Sequence, residues 1–195
     1  MTSREEETYN NFMRVVAGKA RSIPLKTVEG QETRPTTDRI KETLFNILQN
    51  EMADCLFVDL FSGSGGIGIE ALSRGARKAI FVEKAPKALV CIKENLAKTK
   101  LEDNAVVLAS DAVSAIYRLE GSEPADLIFM DPPYQKGLER QVLEALKNSS
   151  LADENTTIIV EADLHTDFSY AEEDGYEIIK QKKYKTNQHV FLRRA

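Results

Sequence analysis

The sequence predicts an α/β fold, a mostly parallel seven-stranded sheet that ends in an antiparallel hairpin and is preceded by a small hairpin and helix. Three observations carry this expectation. From Cys55 onward, short apolar runs alternate with segments of helical periodicity, the pattern of βαβ units. The first run leads into a glycine-rich loop, as a strand feeding a helix does in such a unit. Beyond Tyr176 the chain changes character, to two β-type runs around Thr186-Asn187.

Residues 1–12 carry Glu5, Glu6 and Glu7 without structure-like patterning and are read as an extension or leader. Residues 13–195 are read as a single domain, long enough to bury a proper core and too short for a catalytic domain plus a large target-reading one. Within it, 13–53 form the N-terminal hairpin and helix and 54–195 the core. The runs 14–17 and 23–28, separated by Gly18, suit a hairpin, and Ile40, Leu44, Ile47, Leu48 and Met52 recur at helical spacing after Pro35-Thr36. Core strands are expected at 55–60, 78–82, 105–109, 126–130 and 157–160, each bounded by polar or turn residues. Helices fall between them. One follows the glycine loop to Ser73-Arg74, with Gly75 just past its end. The next opens at Pro86, whose fixed φ suits a first helical position, and continues through Ala88, Leu89, Ile92 and Leu96. Leu138, Val142, Ala145 and Leu146 repeat the pattern after the fourth strand, and the runs 176–184 and 189–192 form the closing hairpin.

Composition narrows the function classes. No apolar run approaches the roughly 20 residues needed to cross a bilayer, and no signal-peptide pattern opens the chain. Cys55 and Cys91 supply neither a disulfide framework nor a CxxC pair, and are expected as buried thiols of a cytoplasmic protein. His165 and His189 are the only histidines and no paired His/Cys spacing occurs, so no metal site is expected. A net charge of −5 argues against nucleic-acid binding as an average, but its distribution is uneven. Residues 13–41 carry +4 and 180–195 carry +6, against −2 for 1–12 and −13 for 42–179. A nucleic-acid footprint would therefore rest on the two basic ends.

After the first core strand, Gly63, Gly65 and Gly68 form G-x-G-x-x-G, which lets the backbone turn sharply, approach a ligand and seat a helix on the sheet. Glu83 lies 20 residues after Gly63, where an acid at the end of the second strand can hold ribose hydroxyls. A pyrophosphate would be repelled by Asp59, the acid just before the loop. S-adenosylmethionine has no phosphate and carries an ammonium and a sulfonium, so Asp59 suits it. Asp111, after the third strand, is placed to accept from the adenine amino group, to cap the next helix, or both.

The fourth strand ends in Asp131-Pro132-Pro133-Tyr134. In a doubly wound sheet this tetrapeptide and the glycine loop should meet across one cleft at the carboxyl ends of the strands. An exocyclic amino nitrogen of a base is a poor nucleophile, because its lone pair is delocalised into the ring. Acceptors aimed at its hydrogens, here the Asp131 carboxylate and the Pro132 carbonyl, turn that lone pair outward. The prolines hold the acceptors in place, and Tyr134 offers a face on which a base can stack. The base must already be unpaired or leave its stack.

Met13-Arg14-Val15-Val16-Ala17-Gly18, the segment from Thr33-Arg34-Pro35-Thr36 through Leu48, Asp59-Leu60-Phe61-Ser62-Gly63-Ser64-Gly65, and the tetrapeptide together resemble the bacterial small-subunit ribosomal RNA methyltransferase D family. The resemblance runs from Met13 to nearly the end of the chain, and the Arg-Pro-Thr segment is its most family-specific part. It implies a class I, Rossmann-like methyltransferase fold and transfer of methyl from S-adenosylmethionine to N2 of one guanine in 16S rRNA. The substrate would be the free RNA or a partly assembled small subunit, and the enzyme a monomer. Carried over, Asp59, Gly63, Gly65, Gly68, Glu83 and Asp111 would hold the cofactor and Asp131 through Tyr134 the target amino group. Arg14, Lys19 and Arg21 would contact RNA phosphates, and Arg34, Thr36 and Arg39 would lie near the cofactor mouth or the RNA. The alternatives are an amino methyltransferase acting on DNA or another RNA and, outside that class, an NAD-linked oxidoreductase that would leave Asp59 and the tetrapeptide unexplained.

Overall fold

The strands form because β-branched and aromatic residues run together where both faces of the sheet are covered. A computed structural model describes residues 13–28, 38–134 and 136–195. The strands are β1 (Leu56–Asp59), β2 (Lys78–Glu83), β3 (Ala105–Ala109), β4 (Leu127–Met130), β5 (Thr157–Asp163), β6 (Tyr176–Lys183) and β7 (Asn187–Arg194). The helices are α1 (Asp38–Ile47), α2 (Gly66–Ser73), α3 (Pro86–Thr99), α4 (Ala112–Arg118), α5 (Leu138–Lys147) and α6 (Tyr170–Glu173). One seven-stranded sheet results, in the order β3-β2-β1-β4-β5-β7-β6. Strands β1 to β5 are parallel, and β7 runs antiparallel to both β5 and β6. The chain order reverses between β1 and β4, so the crevice for a ligand opens at their carboxyl ends.

Alternation along the strands sorts their side chains into two cores. Phe57, Phe81, Phe129, Ile159 and Phe191 pack with α1, α2 and α3 on one face. Val58, Val82, Ile128, Val160 and Leu192 pack with α4, α5 and α6 on the other. Asp59, one residue beyond Val58, belongs by alternation to the face that carries Phe57. The expected strand positions agree within a few residues, and the largest difference is the extension of β5 from residue 160 to Asp163. Glu161 and Asp163 lie within that extension.

The N-terminal hairpin does not form two regular strands. A single antiparallel bridge joins Arg14 to Pro24. The Val15 amide donates to the Ile23 carbonyl at 3.0 Å and the Leu25 amide to the Met13 carbonyl at 2.7 Å, while other amides of the segment are taken by α2. The amides of Val16 and Ala17 donate to the Glu70 carboxylate at 2.8 and 3.0 Å, Lys19 donates to the Ser73 carbonyl at 2.9 Å, and the Ala20 amide donates to Ser73 Oγ at 2.9 Å. Farther along, the Lys26 amide donates to Asn95 Oδ1 at 2.8 Å on α3. Segment 13–28 is thus a strap across α2 and α3. Gly18, at φ +83°, makes its closest approach: an added Cβ would lie 1.9 Å from the Ser73 carbonyl oxygen.

Under the strap, Glu70 and Lys41 are 0% and 1% exposed and lie 3.4 Å apart, with Arg74 Nε 2.8 Å from the same carboxylate. Burial pushes the Lys41 ammonium down from its ordinary pKa, and the neighbouring Glu70 charge opposes that. Lys41 also donates to the Arg14 carbonyl. Glu70→Ala would strip a buried cation and two strap amides of their acceptor. A loss of about 3–5 kcal/mol of stability is expected, to be read from denaturant unfolding. A loss under about 1 kcal/mol would show that the strap is held by its apolar contacts alone.

Candidate active site

At the end of β1 the chain turns through the glycine loop into α2. Ser62 Oγ donates to the Asp59 carbonyl at 2.9 Å, and the Gly65 amide donates to the Ser62 carbonyl at 2.7 Å. Gly63 and Gly65 take φ of +52° and +86°. Gly68 faces the sheet so closely that an added Cβ would lie 2.3 Å from the Phe81 ring, so any side chain there would push α2 off β2. Glu83, at the end of β2, pins this loop. Its Oε2 accepts from the Gly63 amide at 2.9 Å, and its Oε1 accepts from the Lys84 and Ala85 amides at 2.8 Å each. The carboxylate predicted to face ribose thus also braces the loop that would hold the cofactor.

Asp59 lies behind the loop at 1% exposure, and neither of its carboxylate oxygens has a hydrogen-bond partner of good geometry among the described residues. Burial raises its pKa to about 7, the nearby amides of Gly68 and Phe61 oppose the rise, and the Glu83 charge adds to it. A buried polar group without a partner is costly, and such groups concentrate where a ligand completes the set. A cationic group of a ligand would supply such a partner, whereas a pyrophosphate would be repelled by the carboxylate. Asp111 is exposed at the start of α4, where its Oδ1 accepts from the Ser114 amide at 2.9 Å. It is a helix cap, and that bond holds its pKa below the usual value.

Asp131 follows directly on β4, and Pro132 is buried behind it, while Pro133 and Tyr134 are exposed. Desolvation, followed by the charges of Glu161 and Asp59, raises the Asp131 pKa well above its ordinary value. The structure therefore brings together Asp59, the glycine loop, Glu83 and Asp131 at the carboxyl ends of β2, β1 and β4, with Asp111 just beyond β3.

Beside Asp131 lies a buried polar group that sequence reading did not single out. Glu161 Oε2 is 3.0 Å from His189 Nε2, Glu161 Oε1 accepts from Asn187 Nδ2 at 2.6 Å, and Tyr184 Oη is 3.1 Å from His189 Nδ1. The sequence held one signal for it. Glu161 ends the apolar run 157–160 as Asp59 and Asp131 end theirs, an acid closing each of three neighbouring parallel strands.

The basic residues proposed for RNA are dispersed. Arg14 is exposed and paired with Asp38 at 2.7 Å, and Arg39 is exposed in the first turn of α1. Lys19 and Arg21 sit by Ser73, one length of α2, roughly 12 Å, from the glycine loop. Arg34 and Thr36 lie outside the described residues. At the other basic end, Lys182 and Lys183 are exposed on β6, whose turn into β7 lies at the carboxyl end of β5 and thus on the cleft side.

The family described as conserved hypothetical protein 95 matches residues 13–193. YlbH of Bacillus subtilis is 39% identical over 152 residues, covering 77% of this chain and 83% of that protein. Ribosomal RNA small subunit methyltransferase D of Escherichia coli K12 is 34% identical over 152 residues, covering 78% of this chain and 75% of that one. The chain belongs to the small-subunit ribosomal RNA methyltransferase D family. The solved structure of yhhF from E. coli superposes with a TM-score of 0.80 at 29% identity, covering 94% of this chain and 98% of that chain. The sheet is that of a class I methyltransferase with a C-terminal antiparallel hairpin, and the methyl donor of the class is S-adenosylmethionine. Among the described residues, no helix is long and apolar enough to cross a membrane.

Proposed function

We propose that this protein transfers the methyl group of S-adenosylmethionine to the exocyclic N2 amino group of a guanine in 16S rRNA, using Asp131-Pro132-Pro133-Tyr134 as the amino-group site. The observation that carries the reading is the position of Asp131 at the end of β4, across the sheet's reversal point from the glycine loop and the unpartnered Asp59. The names of the E. coli relative and others of its kind support ribosomal RNA as the substrate.

S-adenosylmethionine, when bound, supplies an electrophilic methyl on a cationic sulfur. Asp59 offers charge to its cationic part, Glu83 its remaining lone pairs to the ribose, and Asp111 an acceptor to the adenine. Gly63, Gly65 and Gly68 let the loop come close. Asp131 and the Pro132 carbonyl accept from the two amino hydrogens and orient the nitrogen lone pair. Pro133 stiffens the turn, and Tyr134 receives the extruded base, a stacking contact worth about 1–3 kcal/mol. Arg14, Lys19, Arg21, Arg34 and Arg39 are proposed phosphate contacts. Arg14, Arg34 and Arg39 belong to the strap, the segment after it and α1; Lys19 and Arg21 would serve RNA that extends past the cleft.

Labelled methyl transfer to 16S rRNA, offered both naked and as partly assembled small-subunit particles, tests the reading through nucleoside analysis of the product. N2-methylguanosine is expected. Another methylated nucleoside would keep the methyltransferase and overturn the guanine-N2 assignment, and methylated protein would overturn the RNA.

A further inference from the structure

Methylation of an amino group ends with a proton to dispose of. The nitrogen forms its bond to the methyl carbon as the carbon–sulfur bond breaks, the electron pair of that bond stays on sulfur, and the nitrogen, now cationic, must lose one hydrogen as a proton. The nearest carboxylate in the proposed site is Asp131. Its surroundings are unusual, because the strand ends around it are acidic on both sides. Glu161 comes one residue after Val160, the partner of Met130, and Glu161 is itself in register with His189 on β7. Asp59 approaches from β1.

Glu161 is fixed in place. It is 5% exposed, and it takes hydrogen bonds from Asn187 and from His189, a residue that is fully buried and held on its other ring nitrogen by Tyr184. The ring also stands edge-on to Phe129 at 6.1 Å and to Tyr184 at 5.0 Å. With Tyr184 donating to Nδ1 and Nε2–H donating to Glu161, both ring nitrogens of the imidazole have a partner.

We propose that Glu161, anchored by His189 and Asn187, is a positioning residue for Asp131: its fixed charge makes the Asp131 carboxylate a strong enough base to take the proton that the methylated nitrogen loses. The inference rests on Asp131 being the amino-group acceptor. Among the described residues, the titratable groups that face Asp131 are Asp59 from β1, Glu161 from β5 and, behind Glu161, His189 from β7 and Tyr184 from the turn before it. A neighbouring like charge raises a carboxyl's proton affinity, so removing it must lower that affinity.

The test is the pH dependence of kcat in wild type and Glu161→Gln. The substitution preserves shape, and the imidazole can present its other tautomer to the new amide, so the fold is retained. Wild-type activity is expected to fall on the acid side as Asp131 takes up a proton. In Glu161→Gln that acid limb moves to lower pH by about one unit or more, with KM little changed. An unmoved limb overturns the proposal, since a merely structural role would lower the rate without moving it. Carbon-13 titration of the Asp131 carboxyl in the unliganded protein, assigned through Asp131→Asn, gives an independent readout. A midpoint above the ordinary carboxylate range that drops in Glu161→Gln is expected, and an ordinary midpoint in wild type overturns the proposal. His189→Gln keeps an N–H donor for Glu161 and should retain the wild-type limb, whereas His189→Leu should not; identical limbs in the two would remove His189 from the assignment. If Asp131→Asn transfers methyl at the wild-type rate, the amino-group reading itself fails. If Asp131→Asn is inactive and the Glu161→Gln limb stays in place, only this inference falls.

Discussion

Asp131→Ala is expected to lower kcat for methyl transfer by at least about a hundredfold while the Kd for S-adenosylmethionine stays within a few-fold of wild type. The substitution removes the carboxylate that accepts from the target amino group, together with the base beside Glu161. It leaves Asp59, the loop brace at Glu83 and the α4 cap at Asp111 in place. Pro132 is buried and Pro133 restricts its own φ, so the turn should keep its course without the Asp131 side chain. Cofactor binding by calorimetry and single-turnover transfer to 16S rRNA, run on the same preparation, separate the two quantities. Asp131→Ala with transfer within a factor of ten of wild type would make the tetrapeptide a turn that merely caps β4.

Asp59→Asn should do the reverse. It keeps shape and burial but removes the charge that a cationic ligand would meet, and losing one partner of a buried charge pair costs about 3–5 kcal/mol. The Kd for S-adenosylmethionine should rise by roughly a hundredfold to a few thousandfold. Asp59 titrates near 7 in the free protein, and a cationic ligand favours its ionised form. Binding to wild type should therefore release a proton below about pH 7, seen as a dependence of the binding heat on the buffer's ionisation enthalpy. Asp59→Asn should release none from this site.

The same substitution changes the unliganded protein in a way that can be checked without cofactor. The pKa of Asp59 is raised in the folded state, to about 7 from an ordinary 3.8. Its contribution to stability is thus complete below about pH 4 and is lost as pH rises through 7. About three pH units at 1.36 kcal/mol each bound the effect at roughly 4 kcal/mol. Relative to wild type, Asp59→Asn should therefore gain stability between pH 4 and 8. A constant difference across that window would mean that Asp59 is solvated or paired in the free protein.

Much of this molecule was legible in the chain. The alternation of apolar runs and helical periods, Pro86 at a helix start and Asp111 before Ala112 are local signals, and local signals survive without knowledge of the fold. The acids at 59 and 131 and the glycines between them could be referred to one cleft because a doubly wound sheet collects its ligands at the carboxyl ends of the strands. The N-terminal hairpin was legible, but the way it straps onto the helices was not. Runs 14–17 and 23–28 pair through Val15 to Ile23 and Leu25 to Met13, but the amides of Val16 and Ala17 donate to Glu70 and that of Ala20 to Ser73, each more than 50 residues away. Nothing in a local window says that a helix will take those amides.

The group around Glu161 marks the same limit. The sequence by itself determined the strands, the glycine turn, the capping residues and the chemical types at the strand ends, because each follows from steric and hydrogen-bonding preferences over a few residues. Only the tertiary structure decided that β7 would insert between β5 and β6 and so set His189 against Glu161, 28 residues earlier, with Asp131 alongside. Strand order and register are settled by burial summed over the whole sheet. The electrostatics of Asp131 and Asp59 follow from that order: each carboxyl's proton affinity depends on which charges the sheet carries to its side and how much water it shuts out.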